Sequence, residues 1–266
     1  MTHKDLVFFK NWFSDYTTSF HYPGIDDNKN ISLKINHTRH VCENAKKIAE
    51  SLRLTGNSIM LAETAALFHD IGRFAQYAQY KTFKDSISEN HGKLGVKILE
   101  QEGILQNLPE NEQGLITNTV KFHSAFAIPD LKETETIFFL KLIRDADKLD
   151  IWRVFVEYYN TRETERTSTV GQELPDVPGY TEEVLSCIFK KIMASLAMLK
   201  NLNDFKLTQL SWVYDLNFDI SFSLLLERNY IKEIISKLPQ TEEIRKASDI
   251  LHEFVYQKIE SSKINR

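Results

Sequence analysis

Histidine and aspartate are the residues in this chain whose types and spacing could do chemistry. Five of its eight histidines, His37, His40, His69, His91 and His123, stand at the start or end of a segment that reads as helical. His3, His21 and His252 read as surface residues. The pair His69-Asp70 closes an almost wholly apolar helical run, SIMLAETAALFH. A carboxylate there is costly to desolvate unless it is paired or bound to a cation, and the helix dipole disfavours an anion at a C-terminus. A divalent metal removes both objections, and imidazole with carboxylate suits Fe, Mn, Zn or Ni better than Ca. Further along, RDADKLD places Asp145, Asp147 and Asp150 inside an apolar helical pattern. Asp147 and Asp150 are i, i+3 neighbours on the side of Ile143 and Ala146, so at least one carboxylate should point inward. The bland reading of that segment is a solvated charge cluster paired locally with Arg144 and Lys148.

The elements that must position these residues are helices. Val41, Ala45, Ile48, Ala49 and Leu52 mark one apolar face. Further helices are expected over residues 58–69, 93–101, 111–123 after Pro109, and 134–159 with Thr134 as N-cap. Beyond a polar stretch at 161–180, helices are expected over 181–200, 219–238 and 241–259. Val184, Ile188, Ile192, Leu196 and Leu199 share the face of the first of these. No alternating run or hairpin signal appears, so the expected fold is all-α. It is a single domain over 1–266: a helical bundle core at about 31–160, a polar loop at about 161–180 and a C-terminal helical extension at about 181–266.

In order, His37…His69-Asp70…Asp147 resembles the H…HD…D signature of the HD superfamily of metal-dependent phosphohydrolases. The local contexts HTRHV with ENAKKIAE, LFHDIGRF and RDADKLD resemble its motifs over about Ile31 to Tyr159. His40 competes with His37 for the first position. The stripe through Val41, Ala45 and Ile48 favours His37, as does the family pattern. That pattern also selects Asp147 over Asp145. His91 and His123 occupy the places where binuclear members carry two more histidines. The resemblance thus implies an HD-domain-like bundle and the ligand set His37, His69, Asp70, His91, His123 and Asp147. Asp70 would bridge if two ions bind; with one ion, His91 and His123 would bind phosphate or act as acid. One or two divalent transition ions (Fe, Mn, Ni, Co or Zn) are implied, with Mg also admitted.

The implied reaction cleaves a phosphate ester or anhydride of a small molecule, a nucleotide being the leading substrate class. Asp70, Arg73 and Lys148 would carry catalysis. Arg73, Lys148, Lys93 and Arg144 would meet the phosphate. The rival readings are a di-iron oxygenase on the same ligands and a non-catalytic nucleotide sensor. Phe68, Phe74, Tyr77, Tyr80 and Phe83 could stack on a base, although core packing is the commoner role. Trp212, Tyr214, Phe218 and Phe222 read as a packed aromatic cluster.

A net charge of −4 and a pI of about 6.1 give no general attraction to nucleic acid or membrane. No Gly-rich phosphate loop, no GxSxG elbow and no basic stripe is present. The start lacks a signal-peptide core and no apolar run suffices to span a bilayer, so a cytoplasmic location is expected. Cys42 and Cys187 are expected as buried, reduced thiols. The expected partner is a small phosphorylated substrate, with a homo-oligomer allowed.

Overall fold

The computed structural model of the chain describes residues 1–167 and 169–264. It divides into two compact units, Met1–Asp150 and Ile151–Arg266. Among the described residues the regular elements are all helical, and none is long and apolar enough to cross a membrane. Both cysteines are free thiols; Cys187 is buried and Cys42 only half so.

The first unit contains α1 (His3–Thr18), α2 (Ile25–Ser51), α3 (Gly56–Phe68), α4 (Gly72–Tyr80), α5 (His91–Gln101), α6 (Glu110–Phe122) and the first part of α7 (Thr134–Asn160). Helix α2 buries His37, Val41, Asn44, Ala45 and Ile48, a stripe of i, i+4, i+7 spacing. Asn44 donates from Nδ2 to the carbonyl of Ala146 at 3.1 Å, fixing α2 against α7. Helix α3 is apolar around its C-terminal half because α1, α2 and α6 all pack on it. Helix α1 opens on a capping box between Thr2 and Asp5 and buries Leu6, Phe9 and Phe13. Phe9 and Trp12 meet Phe68 edge-on at 5.5 and 5.9 Å, while Phe13 meets Phe74 at 5.9 Å. Phe68 and Phe74 are therefore core residues and not a stacking platform.

Two glycines let the helices approach closely enough to build a site. A Cβ at Gly72 would fall on the carbonyl oxygen of His91 and 2.7 Å from the nitrogen of Gly95. A Cβ at Gly92 would stand 2.7 Å from the carbonyl oxygen of Lys121 and 2.9 Å from that of Val120. Without side chains at 72 and 92, α4, α5 and α6 touch backbone to backbone.

The second unit contains the end of α7, α8 (Glu182–Phe189), α9 (Leu202–Ser211), α10 (Asp219–Glu227), α11 (Tyr230–Ile235) and α12 (Glu242–Ile264). All of α9 is buried. Trp152 and Tyr159 of α7 bond to the carbonyl and side chain of Gln209 at 3.0 and 3.1 Å. Tyr214 and Phe222 share an aromatic cluster centred on Phe254, whereas Trp212 lies beside Trp152.

Several expected elements differ. Helix α2 begins sixteen residues before Val41, so His37 and His40 lie inside a helix and not at its end. The helix expected over 181–200 stops at Phe189, because Lys191 turns left-handed at φ 55° and Ile192 N–H returns to the carbonyl of Cys187. Ile192 and Leu196 are consequently exposed and not on a buried face. The helix expected over 219–238 is broken at Asn229, which adopts φ 56° and separates α10 from α11. Helices α1, α4 and α9 were not expected.

Candidate metal centre

Two histidines project from helix C-termini by the same device. His69 caps α3 and its Nδ1 returns to the carbonyl of Ala66 at 2.6 Å. His123 caps α6 and its Nδ1 returns to the carbonyl of Val120 at 2.9 Å. In each case the imidazole satisfies a carbonyl the helix end leaves open, and the opposite nitrogen is pushed beyond the helix. His91 is the first residue of α5, with Nδ1 held 2.7 Å from Asp85 Oδ2. His37 leaves the middle of α2 with Nδ1 held 2.7 Å from Asp150 Oδ2 on α7.

Carbonyls and carboxylates only accept, so all four rings donate from Nδ1. Their Nε2 atoms meet in two pairs: His37 with His69 at 3.2 Å, and His91 with His123 at 3.1 Å. Asp70 lies between the pairs. Its Oδ2 is 3.7 and 3.8 Å from His37 and His69, and its Oδ1 is 3.4 and 3.7 Å from His91 and His123. Asp147 Oδ1 is 3.1 Å from His37 and 3.7 Å from His69. Three overlapping triads of buried donors result: His37, His69, Asp70; His69, His123, Asp147; and Asp70, His91, His123.

This donor set fits a metal. Burial pulls the His69 pKa down to about 4 and that of His91 to about 3, the latter helped by Arg73. A neutral ring that donates from Nδ1 presents a bare lone pair at Nε2, and such lone pairs repel at 3.1 Å unless a cation lies between. Two imidazole nitrogens sharing one ion at about 2.1 Å stand about 3.0 Å apart at a right angle and about 3.4 Å apart at a tetrahedral one. The observed 3.1 and 3.2 Å fall within that interval. His37 differs: burial opposes its charge, but Asp147 and Asp150 overcome this and raise it to about 9. Asp70 is penalised by burial, yet Lys34 and His69 hold it well below the usual carboxylate range.

The remaining candidate residues are placed as follows. His40 sits at the rim, its Nδ1 on the carbonyl of Asn36 and 3.9 Å from Asp150. Arg73 joins the cluster through Nε, 3.4 Å from Asp70 Oδ1, and through Nη1, 2.7 Å from Asp85. Lys148 is buried next to Asp147. Arg144 is buried and donates to the carbonyls of His123 and Ala125, holding the segment that carries His123. Lys93 is exposed on α5. Lys34, Asp85 and the outward hold of Asp150 on His37 escaped sequence reasoning. Lys34 places Nζ 2.7 Å from Asp70 Oδ2, and its position one helical turn before His37 was the available signal.

The family model described as HD domain matches residues 35–152. No curated protein and no solved structure matches the chain.

Proposed function

We propose, from the match of residues 35–152 to the HD-domain family model, that the chain is a metal-dependent phosphohydrolase acting on a small phosphorylated compound, a nucleotide being the favoured class. The observation that carries this reading is the convergence of His91 Nε2, His123 Nε2 and Asp70 Oδ1, buried donor atoms within 3.1 to 3.7 Å of one another. His37, His69 and Asp147 would hold one ion and His91 and His123 a second, with Asp70 shared. A bound ion supplies hydroxide near neutral pH by lowering the pKa of its water from about 15.7 to about 7.

The chain's own residues do the rest. Phosphoryl transfer spreads negative charge over peripheral oxygens, so fixed cations beside the centre lower the barrier. Lys34 and Arg73 are both in contact with Asp70. In this reading Lys34, Arg73 and Lys148 orient the phosphate and balance its charge. Asp85 and Asp150 keep the rings of His91 and His37 aimed inward. Arg144 donates to the carbonyls of His123, Ala125 and Phe126, which supports a role in holding His123 in place.

The test is reconstitution with Mn²⁺ or Co²⁺ without oxygen, followed by phosphate release from nucleotides and phosphodiesters, with Asp70→Ala alongside. Release by the wild type and none by the variant is expected. Turnover only with iron and oxygen would replace the reading with an oxygenase. Equal, negligible turnover by both proteins across the panel would leave a binding protein.

A further inference from the structure

The second unit holds a cavity of about 480 Å³ with no part in the chemistry above. One wall comes from the polar stretch after α7, through Arg166, Asp176 and Val177; another comes from α9 and the segment after α11, through Lys206 and Lys237. Three basic side chains against one acidic one line a space within the usual range for small-molecule sites.

Its construction is specific. Lys206 is 6% exposed, yet its two hydrogen-bond acceptors are neutral oxygens: Asn203 Oδ1 at 2.9 Å and the carbonyl of Lys237 at 3.0 Å. Asn203 in turn donates to the carbonyls of Val177 and Gly179 at 3.2 and 2.8 Å, and Leu202 N–H donates to the carbonyl of Pro175 at 3.0 Å. The loop is thus pinned to the start of α9 by the same amide that holds the ammonium. Arg166 is fixed likewise, its Nε on the carbonyl of Thr161 at 3.1 Å and its guanidinium 4.8 Å over the Tyr158 ring.

A buried ammonium without an anionic partner in contact is expensive, and burial accordingly lowers the Lys206 pKa. A lysine ammonium has three protons, of which neutral acceptors take two here. Beyond these oxygens Nζ faces the Tyr159 ring, 5.2 Å from its centroid, and an anionic group entering the cavity would add a charged acceptor. Leu202 and Leu238 add apolar surface beside the cations.

We propose that this cavity is a second ligand site, which takes the phosphate group of a small organic phosphate on Arg166, Lys206 and Lys237 and its carbon body against Leu202 and Leu238. A regulatory ligand or a subsite for product would both use this chemistry.

Calorimetric titration of the full chain with phenylphosphonate, which cannot be hydrolysed as an ester, tests it. The wild type should show a saturable event with Kd below about 1 mM. Arg166→Gln and Lys237→Gln should each weaken that event about tenfold or more, the loss expected when a charged hydrogen bond is removed. Lys34→Gln should leave it in place. Both test positions lie on a loop or in an exposed turn, so unchanged melting temperatures will certify folding. Absence of any event, or an event abolished by Lys34→Gln but untouched by Arg166→Gln and Lys237→Gln, would overturn the proposal. Equally tight binding of benzoate would overturn its assignment to phosphate.

Discussion

If Asp150 and Asp85 each orient one histidine, their neutral amides should weaken two different metal-binding steps. In Asp150→Asn an amide oxygen can still accept from His37 Nδ1, which now lies 2.7 Å from a carboxylate. The substitution exchanges a charge-assisted bond for a neutral one, a difference of about 1 to 1.5 kcal/mol. If that difference passes wholly into the affinity of Nε2 for its ion, the dissociation constant rises about tenfold. Asp150→Ala also frees the ring to turn or change tautomer, which extends the loss toward about a hundredfold. Asp85→Asn should do the same to the ion held by His91, whose Nδ1 is 2.7 Å from Asp85. Titration with Mn²⁺ against a fluorescent chelator resolves the steps. The reasoning fails if neither variant shifts a step more than twofold, or if both variants weaken the same step.

Other outcomes follow from the geometry. Gly72→Ala should cost about 2 kcal/mol or more, since overpacking against the backbone of α5 forces α4 away. Gly114→Ala, where an added Cβ meets nothing within 4 Å inside α6, should raise stability by about 0.5 to 1 kcal/mol; urea denaturation compares the two. Arg144→Met should lower the melting temperature and metal affinity together, because the carbonyls of His123 and Ala125 lose their donor; a shift in neither would refute it. The metal-free chain should be most stable near pH 6.5. His69 and His91, depressed to about 4 and about 3, bind protons only when unfolded as pH falls below 6.5, so stability drops on that side. His37, raised to about 9, contributes fully below 6.5 and loses its contribution as pH climbs through 9. Bound metal should flatten the alkaline limb, which thermal melts at fixed free Mn²⁺ will read.

Legibility in the sequence followed the strength of local signals. Helices α3, α5, α6 and α7 were readable within about two residues because they are long apolar runs, carry a one-sided apolar face, or begin at a turn or cap residue. Helix α9 was not: buried all round, it carries Asn203, Asp204, Lys206 and Gln209, each of which has a hydrogen-bond partner distant in sequence. No amphipathic stripe can report such a helix. The breaks at Lys191 and Asn229 escaped because left-handed turns there use no glycine. The spacing of the histidines and aspartates suggested a shared centre, since types and order carry that chemistry. Lys34 and Asp85 were hidden because their roles are defined only when α2, α4 and α5 meet.

The contact between Lys34 and Asp70 bears on how such a centre comes into being. The Lys34 ammonium rests on Asp70 at 2.7 Å, and His37, its pKa raised to about 9, stands between Asp147 and Asp150. If ions bind as proposed, each would meet a cation already at its place. Loading would then be an exchange in which the incoming ion displaces a proton or an ammonium, and the medium would acidify as the centre fills.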